Sequence, residues 1–177
     1  TYPIVLKPAN VVVYNHLRFE GKNKIYKLNS EEEVKNTLNL IKNGGYTDKL
    51  ILQEFIPGDD SNLFDSVVYV NTKGHVEFIS FAQIGLQERT KSMVGNAAVN
   101  TTKGDVDNQV EDIKKFMENI GYTGFAEVDM KYDCRDNTFK VLEINARQGR
   151  CSYYVTPLGK NLVQVLIEDC LNGIEHE

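Results

Sequence analysis

The fold is decided by a stretch that reads GFAEVDMKYDCRDNTFKVLEINAR, residues 124–147. Within it, two runs of alternating apolar and polar residues, 125–132 and 138–144, flank a polar segment centred near Asp136. Such alternation is typical of a β-strand with one buried face, and Asp, Asn and Arg between two such runs favour a turn. The stretch therefore predicts an antiparallel hairpin.

The register of this hairpin gathers polar side chains on one face. With that turn centre, Asp129 lies opposite Glu143, and Glu127 lies opposite Asn145. Because successive side chains of a strand point to opposite faces, these four residues and Arg147 share one face. The other face is purely apolar and is expected to join the core through Val128, Met130, Leu142 and Ile144.

Three carboxylates and an amide on one face repel one another unless a cation lies among them. Oxygen ligands of this kind suit Mg²⁺ or Mn²⁺ rather than Zn²⁺, and Mg²⁺ completes its coordination shell with water and phosphate oxygens. The sequence therefore predicts a Mg²⁺–nucleotide site whose metal ligands are Asp129, Glu143 and Asn145. Arg147 beside them would stabilise charge on a transferred phosphoryl group. The alternative interpretation is a solvated polar face, which exposed strands more often build from Lys and Thr.

Two segments nearer the N-terminus carry further candidates. The stretch PIVLKP at 3–8 is a short buried strand that ends at Lys7, and QEFIPGDD at 53–60 is a strand end stopped by Pro-Gly. Taken alone, Lys7 is more simply a surface residue at a strand end, and Asp60 is more simply part of a turn. Their order relative to the hairpin favours a functional interpretation of both.

These three segments, in this order, resemble the ATP-grasp superfamily, and the likeness covers nearly the whole chain. In that family an Asp and a Glu-x-Asn, often extended to Glu-x-Asn-x-Arg, bind two Mg²⁺ ions on the phosphates of ATP. The resemblance implies that Lys7 contacts the ATP phosphates and that Arg147 holds the developing acyl-phosphate oxygens, which makes both catalytic. It also implies a nucleotide hinge, in which the backbone of Glu54, Phe55 and Ile56 contacts adenine and Asp60 holds the ribose.

The sequence departs from the family pattern in two places. The family's N-terminal α/β domain and an earlier Lys would lie before Thr1, so we expect a fragment whose own N-terminal domain is a partner. No glycine-rich phosphate flap is apparent. We expect residues 9–24, with Gly21, to replace it, and Arg18 and Lys22 to supply its positive charge.

The order of predicted elements mixes hairpins with helices, which favours an α+β fold over a doubly wound parallel sheet. One helix is predicted after Ser30, because Ser30 and Glu33 form a capping box. Residues 9–24 are ambiguous between strand and loop, and 86–104 is interpreted as a long polar loop. The resemblance implies two α+β lobes that sandwich the nucleotide: a smaller lobe at 1–56 and a larger one at 57–177 with the metal site.

Composition excludes several classes of protein. With 20 basic and 25 acidic residues the chain has a net charge of −5, which disfavours a nucleic-acid partner. No apolar run approaches the roughly 18 residues of a membrane-spanning helix. The three cysteines show no disulfide or zinc-binding spacing, which favours a reducing, cytoplasmic location.

The resemblance implies an ATP-dependent carbon–nitrogen ligase that makes an acyl phosphate from a small carboxylate, which an amine then attacks. Arg150 could clamp a second carboxylate of the substrate, and Arg89 and Lys91 could reach the site on closure. Within the superfamily the chain is most similar to carboxylate–amine ligases of the D-aspartate ligase kind. A carbamoyl-phosphate-synthase-like fragment and a non-catalytic ATP-binding module are the alternatives, and a homodimer is compatible with the sequence.

Overall fold

The computed structural model describes residues 1–90, 96–103, 106–150 and 152–174. Over these residues the chain divides into two compact units. The first contains Thr1–Ile56, and Arg89 groups with it. The second contains Pro57–Glu88 and the described residues that follow position 95. No helix in the described part of the chain is long and apolar enough to cross a membrane.

The first unit is a small antiparallel sheet with two helices. In chain order its elements are β1 (Ile4–Pro8), α1 (Val11–His16), β2 (Tyr26–Leu28), α2 (Glu31–Asn43) and β3 (Leu50–Glu54). The strand order is β2-β1-β3. Its core is formed by buried aliphatic and tyrosine side chains: Leu6, Tyr14, Tyr26, Leu28, Ile41 and Tyr46.

Local side-chain bonds explain both helices of this unit. For α2, Ser30 Oγ accepts a hydrogen bond from the Glu33 amide at 3.2 Å, which is the predicted cap. Glu33 in turn accepts from the Asn29 amide at 2.7 Å. The segment predicted as strand or loop contains α1 instead. There Asn10 Oδ1 accepts from the Val13 amide at 3.1 Å, which favours a helical turn.

The second unit is built on a larger antiparallel sheet. Its strands are β4 (Leu63–Val70), β5 (Val76–Ile79), β6 (Ala82–Gln87), β7 (Ala97–Thr102), β8 (Gly124–Asp133) and β9 (Thr138–Asn145). Their order is β7-β6-β4-β8-β9, and β5 pairs with β4. The helices are α3 (Asp107–Asn119) and α4 (Leu162–Ile167), with short 3₁₀ segments at Asp60–Asn62 and Ser152–Leu158 and a π turn at Glu168–Asn172.

The prediction of a continuous loop over 86–104 is wrong. Strand β7 occupies Ala97–Thr102 and pairs with β6, with irregular register near Leu86. This strand is rich in Asn and Thr and is exposed along most of its length, so it lacks the apolar alternation by which strands are usually found.

The hydrophobic core of the second unit lies on the face of the sheet that α3 covers. Val68 and Val70 of β4 and Val128 and Met130 of β8 pack there with Met117 of α3, and all five are almost completely buried. A smaller cluster on the sheet contains Val67, Val155 and Leu162.

The β8–β9 hairpin has the register that the sequence predicts over its functional half. Glu127 pairs with Asn145, and Asp129 pairs with Glu143. Beyond this point a bulge shifts the pairing, so that Val141 lies opposite Met130. The expectation that Leu142 continues the apolar face in strict alternation is therefore wrong, because the extra residue of the bulge falls at that position.

Candidate functional site

Acidic residues line up across three neighbouring strands of the second unit. Asp65 on β4 pairs with Asp129 on β8, which pairs with Glu143 on β9. In the next row, Glu127 of β8 pairs with Asn145 of β9. Residues directly opposite each other across antiparallel strands have Cβ atoms about 5 Å apart. Four carboxylates are thus concentrated on one area of the sheet.

Asp65 is the member of this row that the sequence analysis missed. Asp65 is only 2% exposed to solvent. Its Oδ2 accepts a hydrogen bond from Asn100 Nδ2 at 3.3 Å, whereas its Oδ1 is buried without a partner. Burial, reinforced by the charges of Glu127 and Asp129, raises the pKa of Asp65 to about 8. The clustering of negative charge therefore has a direct electrostatic cost at this position.

Within this acidic area, Glu127 is the second strongly buried carboxylate, at 9% exposure. Burial raises its pKa, while the nearby Arg147 opposes that shift. The two side chains face each other with 3.6 Å between Arg147 Nη1 and Glu127 Oε2. The backbone of Gly149 packs directly against the Glu127 carboxylate, so that a Cβ at position 149 would collide with it. Gly149 therefore fixes where this carboxylate lies.

Asn145 connects the carboxylate row to the cation. Its Nδ2 donates to Asp129 Oδ2 at 3.2 Å, and its Oδ1 accepts from Arg147 Nη2 at 3.2 Å. The backbone amide of Arg147 also donates to the Asn145 carbonyl at 2.8 Å. The structure thus brings Asp129, Asn145 and Arg147 into one hydrogen-bonded chain, with Glu143 beside Asp129 in the register.

These residues have the chemistry of a hard-cation site. Among the described residues, no three His, Cys, Asp or Glu side chains form a group that could hold a metal ion. The predicted ligand set instead supplies two carboxylates and one amide oxygen. Mg²⁺ commonly uses few protein ligands and takes the rest from water and phosphate. Together with the partnerless buried oxygen of Asp65, this donor set fits a divalent cation bound with phosphate.

The predicted nucleotide residues Lys7, Glu54, Phe55 and Ile56 all lie in the first unit. Lys7 is half-buried on β1, where it pairs with Ile51 of β3. Glu54 ends β3, and Ile56 is buried. The Lys27 ammonium lies 4.0 Å from the centre of the Phe55 ring, a cation–π contact that the sequence analysis did not foresee.

The two cations predicted for the flap, Arg18 and Lys22, are anchored to the end of α1. The Arg18 guanidinium donates to the Asn15 carbonyl at 2.9 Å. Lys22 donates to the Leu17 carbonyl at 2.9 Å and lies 5.0 Å from the centre of the Tyr14 ring. Desolvation, and secondarily the Arg18 charge, lowers the pKa of Lys22. Both side chains therefore hold the backbone of this segment.

Asp60, the predicted ribose ligand, lies in the second unit, at the start of the first 3₁₀ segment. Its Oδ1 accepts from Gln87 Nε2 at 2.8 Å, and its Oδ2 accepts from the Gln87 amide at 3.3 Å. A carboxylate held through both oxygens has a fixed orientation. Gln87, at the end of β6, thus orients the Asp60 side chain, a contact that no local sequence pattern indicated.

The predicted substrate residues are separated between the units. Arg150 lies in the second unit, with its Nη2 at 3.5 Å from Glu88 Oε1. Arg89 is exposed and groups with the first unit. Lys91 lies outside the described residues.

No protein-family model matches the sequence. A D-aspartate ligase from Enterococcus faecium (strain Aus0004) is 42% identical over 169 residues, which are 95% of this chain. The chain spans only 40% of the length of that relative.

Solved structures of biotin-dependent carboxylases share the fold. One is the biotin carboxylase domain of Hydrogenobacter thermophilus 2-oxoglutarate carboxylase, solved as a dimer with MgADP, ADP and bicarbonate. The match covers 100% of the present chain and 38% of that carboxylase chain, with a TM-score of 0.71 and 18% sequence identity. Biotin carboxylase from Campylobacter jejuni, solved with an ATP analogue, matches 96% of this chain and 37% of its own, with a TM-score of 0.69 and 15% identity.

A ribonucleotide synthetase shares the fold too. The N5-carboxyaminoimidazole ribonucleotide synthetase from Thermotoga maritima matches 97% of this chain and 39% of its own, with a TM-score of 0.61 and 14% identity. The chain has the ATP-grasp fold. The predicted α+β class and the resemblance drawn from the three sequence segments are thereby confirmed. In this ATP-grasp chain, the hairpin with Glu-x-Asn-x-Arg is the part whose side chains form the candidate site.

Proposed function

We propose that this chain is the nucleotide- and metal-binding part of an ATP- and Mg²⁺-dependent carboxylate–amine ligase. The enzyme would transfer the γ-phosphoryl group of ATP to a carboxylate, and an amine would then displace phosphate to form an amide bond. The observation that carries the proposal is the row of carboxylates on β4, β8 and β9, which continues through Asn145 to Arg147. The similarity to D-aspartate ligase supports the same reaction class.

The metal ligands would be Asp129, Glu143 and Asn145. A bound Mg²⁺ would neutralise charge on the β- and γ-phosphate oxygens, which is the main requirement of phosphoryl transfer. The protein would contribute by fixing the positions of the metal ligands before the metal binds. The 3.2 Å hydrogen bond from Asn145 to Asp129 supports that role. The raised pKa values of Asp65 and Glu127 indicate that positive charge placed here would be stabilising.

The remaining residues have proposed roles toward ATP and the acceptor. Lys7 would cancel phosphate charge, and the backbone of residues 54–56 would contact adenine. Asp60, oriented by Gln87, would hold the ribose hydroxyls. Arg147, with an exposed guanidinium bound to Asn145, would stabilise the negative charge of the acyl-phosphate oxygens as it develops.

The proposal is tested by calorimetric titration of the chain with a non-hydrolysable ATP analogue, with and without Mg²⁺. We expect Mg²⁺-dependent binding that weakens at least about 10- to 100-fold in Glu143→Ala, because loss of a charged ligand costs at least as much as loss of an outer partner. Glu143 is exposed, so the free energy of unfolding should change by no more than about 0.5 kcal/mol.

The matched control is Glu111→Ala, which removes an exposed carboxylate from α3, where Glu111 pairs with Lys115. This variant should bind the analogue like the wild type. Binding of the analogue that is indifferent to both Mg²⁺ and Glu143 would contradict the proposed metal site. The ligase reaction itself is tested in the full-length protein, by ADP release that requires D-aspartate and an amine or carboxylate co-substrate.

A further inference from the structure

An open groove lies between α3 and strand β9, on the face of the large sheet opposite the acids. Its volume is about 420 Å³, within the range of small-ligand sites. We call it the α3 groove. Apolar side chains from the helix and from the strands line its two sides: Ile113, Phe116, Val128, Phe139, Val141 and Ile144. A groove with this lining suits a ligand with an apolar body.

The groove exists because α3 covers β8 but leaves part of β9 exposed. The helix lines it with four side chains that have the i, i+3, i+4, i+7 spacing of a single helix face: Gln109, Asp112, Ile113 and Phe116. On the sheet, Val128 of β8 is buried, whereas Val141 of β9 is 52% exposed. Phe116 on the facing helix is 48% exposed. Covering this apolar surface with a ligand would remove it from water, which is favourable.

The walls of the groove are held in place by the core beneath them. Ile113 and Val128 belong to the buried cluster under α3. The Phe139 ring packs edge-on against Phe64, with 4.9 Å between the ring centres. Walls that are already ordered lose little conformational entropy when a ligand binds. An aromatic ligand would find Phe116 and Phe139 in the groove as partners for further edge-to-face contacts.

Asp112 carries the only charge among the described residues that line the groove. Its neighbour on α3, Glu111, forms an ion pair with Lys115. By contrast, no hydrogen bond or ion pair engages the Asp112 carboxylate within the described part of the chain. The hydroxyl of Thr138, which also lines the groove, already donates to Asp136 at 2.7 Å. The charge of the groove therefore favours a cationic ligand over an anionic one.

We propose that the α3 groove binds small apolar amines, with the apolar body between α3 and β9 and the protonated amino group beside Asp112. This inference goes beyond the proposed ligase function, because the groove and the candidate metal ligands lie on opposite faces of the sheet. The two are nevertheless close along the chain, since Ile144 separates Glu143 from Asn145. A bound amine would contact the back of the strand that carries these two residues.

The test uses tryptamine as the probe and tryptophol, in which a hydroxyl replaces the amino group, as its neutral isostere. The chain contains no tryptophan, so indole fluorescence excited where tyrosine does not absorb comes from the probe alone. Its emission should shift to shorter wavelength as the indole enters the apolar groove. We expect both probes to bind, and tryptamine to bind about two- to fivefold more tightly, which is the value of an exposed ion pair.

Two variants, each with a matched control, locate the binding. Asp112→Asn should weaken tryptamine binding to the level of tryptophol, whereas Glu111→Gln, at a residue absent from the groove lining, should keep the preference. Val141→Phe fills the groove and should abolish the emission shift of both probes. Val99→Phe places the same ring on β7, at a valine that is 50% exposed and outside the lining, and should bind both probes like the wild type.

Equal binding of the two probes, or a preference that survives Asp112→Asn, would overturn the assignment of a cationic ligand. Failure of both probes to bind, or binding that survives Val141→Phe, would overturn the groove as the site. Binding that weakens as the protein concentration rises would also overturn it, because a second copy of the chain would then occupy the groove. Asp112 is exposed, so its variant decides the question even where Val141→Phe fails to fold.

Discussion

The two faces of the large sheet, formed by the same strands, have opposite physical character. On one face, Val128 and Met130 of β8 pack under α3 in a fully apolar core. On the other, Asp129 of the same strand lies in a row of acids with Glu127 in the next row, and Asp65 is buried there with an unsatisfied oxygen. Alternation along β8 thus places the source of stability and the candidate site one residue apart.

This difference shows how a β-strand can hold a group of residues whose burial is energetically unfavourable. Burying an unpaired carboxylate is unfavourable, and aligning several on neighbouring strands is more so. The aliphatic face supplies the favourable free energy that keeps the register in place. In the proposed enzyme, the acidic face would then remain poorly satisfied until a cation and a phosphate bind.

The effect that is expected to be large at every pH comes from the apolar face. Met117 of α3 is fully buried in the core, so Met117→Ala should lower the free energy of unfolding by about 2–5 kcal/mol. Chemical denaturation at pH 7 measures it. Folded Met117→Ala protein should still bind the Mg²⁺–ATP analogue, because the cavity lies on the face away from the acids. If binding is lost while the protein stays folded, the two faces are not independent.

The second effect is a pH dependence that originates in Asp65. Its pKa is raised to about 8 in the folded protein, so the folded state keeps a proton that the unfolded chain releases near pH 4. Stability should therefore fall as the pH rises from about 4 to 8, by about 1.4 kcal/mol per pH unit from this group. Asp65→Asn should remove this slope and be more stable than the wild type at pH 8.

Denaturant unfolding at pH 5, 6, 7 and 8 in a chelator measures this slope. Asp112→Asn, which changes an exposed carboxylate of α3, is the control and should follow the wild-type curve. Parallel curves for wild type and Asp65→Asn would show that the acidic row carries no such cost.

The smallest effect concerns the cation at the edge of the acidic face. Arg147→Gln should change the free energy of unfolding by less than about 1 kcal/mol, because the pair with Glu127 is 3.6 Å long and Arg147 is largely exposed. Arg135→Gln is the comparison, because Arg135 Nη2 lies 2.6 Å from Oδ2 of the buried Asp133. The free energy of unfolding should fall further in Arg135→Gln than in Arg147→Gln. The reverse order in denaturation experiments would mean that Arg147 serves mainly to stabilise the fold.

The sequence was most informative where the determinants are local. The turn between β8 and β9 and the alternation on either side fix which residues face each other, so the pairing of Asp129 with Glu143 could be predicted. The helix after Ser30 could be predicted because its cap is formed by residues three positions apart. In both cases the partners are separated by one turn or one hairpin.

The sequence was least informative where partners come from distant strands. Asp65 lies beside Asp129 only because β4 pairs with β8, a consequence of sheet order that no local pattern encodes. Gln87 orients Asp60 for the same reason, across 27 positions of the chain. Strand β7 was missed because an exposed strand rich in Asn and Thr has the composition of a loop.

The bulge between the Asp129 and Met130 pairs has a consequence for how this hairpin can evolve. Between the turn and the bulge, the register is already shifted by one residue, so a one-residue insertion or deletion there could be absorbed by moving or erasing the bulge. Between Glu143 and Arg147, on the other side of the bulge, the register has no irregularity that could absorb such a change. A single deletion there would exchange the positions of the ligands and the aliphatic residues, so relatives that differ in hairpin length should differ on the turn side alone.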